Sequence, residues 1–386
     1  PIKNRFAETH AEIIGWRRHL HMHPELGFDV HNTAKFVEER LREFGITDIT
    51  TGIGKTGVVA AIKGRTDTLG RVIGLRADMD ALPIHEATGL EYSSKVPGKM
   101  HACGHDGHTA MLLGAAQYLA ETRNFDGTAV MVFQPAEEGG GGGLEMCKDG
   151  LMGRWGIQEI YGMHNMPNFP VGEFAIRSGA LLAAADEFSL TITGRGGHAA
   201  APHEAIDPNV AAAHVILALQ SVASRIADPL GQVVVSVCGL HSDTEAHNVI
   251  PQVVRMLGTV RTLDPAVRDI VEVKVKQLVT MTAQAHDCIA EINYERGYPI
   301  TVNTEENTDY AADAALAVAG SVDTNTPPIM AAEDFSYMLE ERPGAYIMLG
   351  NGGGATVHHP EYNFDDNAIP AGCSWYAEMV ERRMPL

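Results

Sequence analysis

In the stretch VIGLRADMD, residues 72–80, a short apolar run ends in two aspartates. Apolar runs of this length, bounded by polar residues, are typical of buried strands in a sheet that helices cover. Similar runs recur along the chain, and they are Val58–Ile62, Ala129–Phe133, Ile157–Tyr161 and Ala345–Leu349. We expect all of them to belong to one sheet.

Apolar residues at helical spacing separate these runs. The spacing predicts two opening helices, over residues 8–23 and 32–45, and further helices over 105–121 and 308–319. Helices that alternate with buried strands indicate an α/β domain.

The middle of the chain has a different pattern. Apolar residues alternate with polar ones between Phe188 and Ile192, as in a strand with one buried face. The elements predicted after it are a helix, two strands, a helix and a strand, over 206–226, 233–238, 253–260, 264–284 and 289–294. This β-α-β-β-α-β order is ferredoxin-like. We therefore predict a catalytic α/β domain of residues 1–184 and 299–386, covered by helices, with an inserted ferredoxin-like α+β domain of residues 185–298.

The composition limits the possible partners. Of 386 residues, 49 are acidic and 29 are basic, and the formal net charge of −20 would repel nucleic acid and anionic membranes. No apolar stretch approaches the length of a membrane span, and the start of the chain lacks the apolar core of a signal peptide. Five scattered cysteines argue against a disulfide framework. We expect a cytoplasmic protein that binds neither nucleic acid nor membrane.

The segment His101–His108 is the strongest chemical signal. It contains three histidines and Cys103 directly before a predicted helix. Thiolate and imidazole are ligands that borderline divalent metals prefer. A polar loop around a buried thiol is the alternative, but the density of these side chains favours a metal or catalytic site.

Other metal-binding side chains follow the predicted strands. In open α/β sheets ligands bind outside the carboxyl ends of strands, so these side chains are expected to converge. Turn formation and ordinary polar contacts are the alternatives for each one taken alone. The residues are Asp78, Asp80, Glu137, Glu138, His164, His358 and His359.

The candidate ligands outnumber the four that one tetrahedral ion needs. They are Cys103, His105, Glu138, His164 and His358. Two divalent ions are therefore predicted, and such ions can activate water and polarise a carbonyl oxygen, which suits hydrolysis. Glu137 is the candidate acceptor of the water's proton. Asp80 is the candidate that orients a ligand imidazole.

Two glycine-containing stretches lack a phosphate-binding fingerprint. No Lys-Ser or Lys-Thr follows Gly139–Gly143, which we interpret as a flexible turn. Before Gly54-Lys55-Thr56, Ile49 stands where the fingerprint requires glycine.

Several longer motifs are specific in combination. They are RRHLHMHPELGF (17–28), GLRADMDALP (74–83), MHACGHDGHTAMLLGAA (100–116), FQPAEEG (133–139), GRGGHAAAPH (194–203), NVIP (248–251), GTVRT (258–262) and AEDFSYM (332–338). With them the chain resembles, from end to end, the binuclear amidohydrolase and metallopeptidase family that includes aminoacylase, hippurate hydrolase, carboxypeptidase G and plant auxin-conjugate hydrolases. The Cys-Gly-His form resembles the amidohydrolase branch.

The resemblance implies a ligand set for two divalent ions in each subunit. Cys103 bridges or joins the ions, and the other ligands are His105, Glu138, His164 and His358. Glu137 is implied to be the general base. Mixed nitrogen, oxygen and sulfur ligation is compatible with Mn, Zn, Co and Ni.

Two positions need a choice between neighbours. His358 rather than His359 matches the family ligand, which stands two residues before a proline, here Pro360. Other branches have His-x-Asp where this chain has Asp78-Met79-Asp80, so Asp78 departs from the wider pattern. We do not include Asp78 among the ligands.

The resemblance also implies roles for the inserted domain. His198 resembles the histidine that reaches the scissile carbonyl, often from the partner subunit, while Asn248 and Arg261 resemble residues that hold the substrate carboxylate. Arginine offers a bidentate fork to a carboxylate, and a donor near the polarised oxygen stabilises an oxyanion. A Gly-rich turn and a polar sheet edge are the alternatives. A homodimer or higher homo-oligomer is implied.

The predicted function is metal-dependent hydrolysis of the amide bond of N-acyl amino acids, with acetyl, benzoyl or similar acyl groups, to a carboxylate and a free amino acid. Closure of the inserted domain is expected to bring its residues onto the substrate. Three alternatives remain open. They are a dipeptidase or carboxypeptidase of the same family, a cysteine hydrolase with Cys103 as the nucleophile, and a metal-binding protein without turnover.

Overall fold

The computed structural model describes residues 2–386, most of which lie in helices or strands. The helices are α1 (Asn4–Met22), α2 (His31–Glu43), α3 (His105–Thr122), α4 (Gly142–Lys148), α5 (Leu151–Trp155), α6 (Pro208–Ser221), α7 (Pro265–Gln284), α8 (Glu305–Ala319), α9 (Phe335–Glu341) and α10 (Ile369–Arg383). The strands are β1 (Ile49–Ile53), β2 (Gly57–Lys63), β3 (Val72–Asp78), β4 (Thr128–Gln134), β5 (Glu159–Met166), β6 (Phe174–Ala175), β7 (Gly179–Leu182), β8 (Ala184–Thr193), β9 (Gly197–His198), β10 (Val233–Ser242), β11 (Val249–Ile250), β12 (Val253–Thr262), β13 (Ile289–Arg296), β14 (Thr301–Asn303) and β15 (Gly344–Gly350).

The chain divides into two compact units. The large unit comprises the chain as far as Leu181, together with Val302–Pro327 and Asp334–Leu386. The small unit comprises Leu182–Thr301 and also Pro328–Glu333. The small unit therefore interrupts the large one in sequence.

The large unit is built on a mixed sheet with the strand order β1-β2-β4-β3-β5-β15-β6. The neighbours β4, β3, β5 and β15 are parallel, whereas the strands towards both edges are antiparallel. Every residue of β15 is buried, so both faces of this strand are covered. The predicted α/β sheet is confirmed, and the carboxyl ends of its four parallel strands lie along one edge.

Helix α3 lies in the core of the large unit. All of its residues from His105 to Ala116 are buried, as expected for a helix that is apolar on nearly every side beyond its first turn. Leu112 and Leu113 belong to the same core as β2, β3 and β4. The first turn of this helix, which carries the predicted ligand His105, is therefore fixed by core packing.

Strand β5 differs from its predicted extent. It begins at Glu159 rather than Ile157 and continues to Met166. Parallel pairing with β15 extends the strand as far as the pair Met166 and Gly350. His164 consequently lies within the strand, whereas the sequence placed it beyond the strand end.

The glycine run does not form a simple flexible turn, and that prediction was wrong for its second half. Gly142 and Gly143 begin α4 and are buried. A Cβ on Gly142 would lie 1.7 Å from the carbonyl oxygen of Pro135, and one on Gly143 would lie 2.7 Å from that of Asp334. Close approach of neighbouring backbone explains why these two positions are glycine.

The small unit contains an antiparallel sheet with the order β10-β12-β8-β13. Helices α6 and α7 pack together and against this sheet. In sequence the elements run β8-α6-β10-β12-α7-β13, which confirms the predicted ferredoxin-like arrangement. Ile192 and Val254 of the strands share a core with Val215 and Val271 of the helices.

Within the described residues, the segment Pro208–Ile226 is long and apolar enough to cross a membrane by length and composition alone. Its buried residues, Ala211, Val215 and Leu219 among them, belong to the core of the small unit. Of its most apolar window, 28% is buried.

Candidate metal centre

The predicted site residues of the large unit lie together at the carboxyl edge of the parallel strands. Asp80 follows β3, the two glutamates follow β4, and His164 lies near the end of β5. The others come from the start of α3 and from the loop after β15. The full set is Asp80, Cys103, His105, Glu137, Glu138, His164 and His358.

Cys103 belongs to two groups of potential ligand atoms. Its Sγ lies with ring nitrogens of His105 and His164 in one group, and with Glu138 and His358 in the other; within each group all atoms are within 4.8 Å of one another. The Sγ of Cys103 is 3.4 Å from Nε2 of His164, and Nε2 of His358 is 3.2 Å from Oε1 of Glu138. A sulfur shared in this way is suited to bridging two ions.

His105 fits the role of a metal ligand. Its ring is fully buried, yet neither ring nitrogen has a hydrogen-bond partner among residues 2–386. Nδ1 lies 3.4 Å from Oδ1 of Asp80, and Nε2 lies 3.9 Å from carboxylate oxygens of Glu137 and Glu138. A buried polar group without a partner is costly, and a bound cation would remove that cost.

The tautomer of His164 is fixed by its neighbour. Nδ1–H of His164 donates to the carbonyl oxygen of Asn165 at 2.7 Å. Nε2 is then the unprotonated nitrogen, and it is the one that faces Cys103. In a metal-binding histidine, one ring nitrogen usually donates to a backbone carbonyl or carboxylate and the other is unprotonated.

Asp80 holds the turn that carries the two glutamates. Its two carboxylate oxygens accept the backbone N–H groups of Glu137 and Glu138, both at 3.0 Å. The turn contains Ala136 in the left-handed region, with φ of 51°. Asp80 thus lies beside His105, where the sequence predicted an orienting carboxylate, and also fixes the backbone of the glutamates.

His358 occupies a strained backbone position. Its φ is 66°, a region that non-glycine residues rarely adopt, and its N–H donates to the carbonyl of Ala102 at 2.7 Å. This conformation brings His358 to Glu138, while Nδ1 of His359 accepts the N–H of Glu361 instead. Half of the His358 side chain is exposed, at 51%, so it closes the outer side of the cluster.

Burial governs the charge states of this site. It raises the pKa of the Cys103 thiol well above its ordinary value, and it also raises the pKa of Asp80. Burial alone would lower the pKa of His105, but the neighbouring carboxylate of Asp78 raises it. Divalent cations reverse this pattern, because a thiol that coordinates a cation is deprotonated.

Asp78 is engaged with other partners. It accepts from Nδ1 of His108 at 2.7 Å and from the guanidinium of Arg76 at 3.0 Å. Nε2 of His108 in turn accepts the N–H of Asn165 at 2.9 Å. Both nitrogens of His108 are therefore occupied, and the close grouping of Asp78, His105 and His108 does not form a separate ion site.

The buried arginine beneath the site was missed from the sequence. Arg76 lies in β3 and donates to Gln134, Asp78 and Asp334. Asp334 also accepts the N–H of Gly143 at 2.8 Å. A charged residue inside an apolar strand was the available signal, since arginine is rarely buried unless paired.

The small unit places its three predicted site residues in two locations. His198 is exposed, and the carbonyl oxygen of Asn248 accepts the N–H of Ala199 at 3.1 Å, so His198 and Asn248 lie side by side. Arg261 lies at the far end of β12, eight residues beyond Val253 (261 − 253). At about 3.3 Å per residue, Arg261 lies about 26 Å along β12 from Val253. Val253 is at the end of β12 that follows Asn248 and β11.

The sequence and structure match known proteins over nearly their full length. The model of Peptidase family M20/M25/M40 matches residues 74–382. A hippurate hydrolase of Campylobacter jejuni is 43% identical, over 97% of either chain. An N-acetyl-L-cysteine deacetylase of Bacillus subtilis is 41% identical, over 96% of this chain and 88% of its own. A crystal structure of a dinuclear metal binding peptidase from the M20 family of Bacillus subtilis superposes with a TM-score of 0.85 at 35% identity, covering 98% of this chain and 99% of that one.

Proposed function

The chain belongs to peptidase family M20/M25/M40, and from this premise we propose that it hydrolyses the amide bond of N-acyl amino acids, releasing a carboxylate and a free amino acid. The observation that carries the proposal is the cluster in which two groups of ligand atoms share Cys103 and Glu137 stands beside them. The names of the similar hippurate hydrolase and N-acetyl-L-cysteine deacetylase describe substrates of this class.

Two divalent ions complete the site in this proposal. Their ligands are Cys103, His105, Glu138, His164 and His358. When bound, such ions polarise the amide carbonyl and activate water. The mixed donor set suits Mn, Zn, Co or Ni better than Mg or Ca, which prefer oxygen ligands alone.

Glu137 acts as the general base. It accepts the proton of the attacking water and delivers it to the leaving nitrogen. Its position supports this role, because Asp80 fixes its backbone and its carboxylate lies 3.9 Å from His105.

The inserted domain, residues 185–298, serves as the lid and dimerisation domain, and residues 1–184 and 299–386 form the catalytic domain. Arg261 and Asn248 bind the substrate carboxylate, and His198 donates to the carbonyl oxygen as negative charge develops there. Arg261 lies at the far end of β12, about 26 Å along the strand from the end that follows Asn248 and β11, a separation that favours their action on different substrate molecules within one copy. We therefore assign Arg261 to one subunit of a homodimer and the His198–Asn248 pair to its partner.

The edge strand β10 supports association through the small unit. It is ten residues long and exposes Val234 and Leu240, while the neighbouring α6 exposes Leu217. An exposed apolar edge strand is a template for pairing with another chain. A cytoplasmic location is consistent with the five free cysteines.

A release assay tests the function. The protein is stripped of metal, reconstituted separately with Mn, Zn, Co or Ni, and given acetyl-, benzoyl- and indoleacetyl-amino acids together with a short peptide. We expect free amino acid from the acylated substrates only when metal is present. Cleavage of the peptide alone would indicate a dipeptidase.

The same assay distinguishes metal-dependent hydrolysis from a mechanism in which Cys103 is the nucleophile. Cys103 and His164 are close enough to resemble a nucleophilic pair. If that pair did the chemistry, metal-free protein would stay active and thiol alkylation would abolish its activity. The metal-dependent proposal expects metal-free protein to be inactive before any alkylation.

A further inference from the structure

Asn165, which directly follows His164, uses every polar group that it has. Only 2% of it is exposed. Its N–H donates to Nε2 of His108, and its carbonyl accepts Nδ1–H of His164. Its side-chain amide donates to the carbonyl of Cys103 at 2.6 Å and accepts the Tyr362 hydroxyl at 2.7 Å. One asparagine therefore contacts two predicted ligands of the metal centre.

The orientation of this amide follows from its partners. The Cys103 carbonyl can only accept a hydrogen bond, so the NH₂ group of Asn165 must face it. The amide oxygen then faces Tyr362, whose hydroxyl is buried and donates to it. Tyr362 consequently fixes the plane of the Asn165 amide.

Gly104 leaves the space that this contact needs. It joins Cys103 to His105 and has a φ of 85°. A Cβ at this position would lie 2.3 Å from the amide nitrogen of Asn165 and 2.5 Å from the hydroxyl of Tyr362. The glycine of the Cys-Gly-His motif thus lets the amide and the hydroxyl pack directly against the turn between two ligands.

We propose that Asn165 and Tyr362 are positioning residues of the metal centre: packed against the Cys103–Gly104–His105 turn, they hold Cys103 and His164 at the spacing that the ions require. The inference rests on the proposed metal-dependent function. Neither residue needs to contact substrate, because both act through the ligands. Groups that orient metal ligands commonly change metal affinity by 10- to 100-fold when they are removed.

Cobalt binding to metal-free protein tests this role without measuring turnover. The variants are Asn165→Ala, Tyr362→Phe and the double variant. Affinity for Co²⁺ is measured by competition with a chelator, and the thiolate-to-cobalt charge-transfer absorption reports the Cys103 contact. We expect about 10- to 100-fold weaker binding in Asn165→Ala and about 10-fold in Tyr362→Phe, each with an altered band.

The double variant distinguishes positioning from independent structural effects. If Tyr362 acts through the amide of Asn165, its removal adds nothing once that amide is absent. The double variant should therefore bind Co²⁺ as Asn165→Ala does. If the double variant instead lost Co²⁺ affinity by the product of the two single losses, Tyr362 would not act through Asn165.

Tyr161→Phe is the matched control, because the hydroxyl of this other buried tyrosine accepts from the amide of Asn307 at 2.8 Å. The control should bind Co²⁺ like wild type. Wild-type affinity and absorption in Tyr362→Phe, or an equal loss in Tyr161→Phe, would overturn the inference. Should Asn165→Ala fail to fold, these two tyrosine variants decide the question alone.

The wild-type spectrum keeps the two proposals separable. A wild-type protein that binds Co²⁺ without any thiolate band would contradict the metal centre itself. A normal wild-type band with an unaffected Tyr362→Phe variant would contradict only the positioning role.

Discussion

The predicted site residues of the two units are held in opposite ways. In the large unit, Cys103, His105 and Glu137 are buried at the edge of one sheet, and neighbouring backbone and side chains fix them. In the small unit, His198 is exposed, and Arg261 lies about 26 Å along a strand from the end near it. The large unit therefore brings all the proposed ligands together within one fold, whereas the small unit holds Arg261 apart from His198 and Asn248.

Energetics explains why the two arrangements differ. Buried polar groups are costly unless every partner is in place, so a buried site comes with a network that holds it rigid. Exposed groups such as His198 need no such network, because bulk water can satisfy them. Loss of a buried group should therefore change chemistry or metal binding, and loss of an exposed group should act through substrate binding.

The largest expected effect is at the buried base. Glu137→Gln removes the proton acceptor at nearly constant size and should lower turnover by about 10²- to 10⁴-fold. Metal content, measured by elemental analysis, should stay at the wild-type level, because Glu137 is not assigned as a ligand. Glu145→Gln in α4 is the control and should behave as wild type. Full turnover in Glu137→Gln would contradict the assignment of Glu137 as the general base.

Mixing two inactive variants tests whether Arg261 and His198 of one active site come from different chains. His198→Ala and Arg261→Ala should each lose at least about 100-fold in activity. After subunit exchange, a mixed dimer has one site with an intact Arg261 from one chain and an intact His198 from the other, so activity should reappear. No recovery in proven mixed dimers would mean that each site takes both groups from the same chain.

Two further variants test whether His358 or the adjacent His359 is the metal ligand in the large unit. His358→Ala should weaken metal binding by about 10- to 100-fold, because the left-handed backbone directs this side chain to Glu138. His359→Ala, which removes only an exposed acceptor for the N–H of Glu361, should bind metal normally. Equal losses in a chelator competition would contradict the assignment of His358.

The smallest functional effect is expected from the core of the small unit. Leu219→Ala removes a buried side chain and should lower the free energy of unfolding by about 2–5 kcal/mol. Val273→Ala in α7, with 62% of the residue exposed, should change it by less than about 0.5 kcal/mol. Neither variant should alter Co²⁺ absorption, since the small unit supplies none of the assigned ligands. A changed spectrum in either would link the small unit to the metal centre.

Local patterns made the fold predictable. Alternation around Leu190 and helical spacing in α6 and α7 are properties of neighbouring residues, and they were enough for the ferredoxin-like order. The candidate ligands could also be proposed from the sequence, because Cys103 and His105 lie in a segment that contains three histidines and a cysteine within eight residues.

Other features depend on tertiary contacts that no local sequence pattern indicates. Asn165 and Tyr362 are ordinary residue types 197 positions apart, and nothing local marks their hydrogen bond. The burial of Gly142 follows from the approach of Pro135, which no propensity indicates. The position of His198 beside Asn248 follows from the pairing of β9 with β11, which a single sequence does not supply.

Anomalous X-ray scattering from crystals of the zinc-loaded protein would show whether two metal ions bind at the cluster that Cys103 joins. We expect two zinc peaks per chain, both about 2.3 Å from the Sγ of Cys103, with His105, His164, Glu138 and His358 as the other protein ligands. A single peak, or peaks that leave Cys103 without metal, would contradict this expectation.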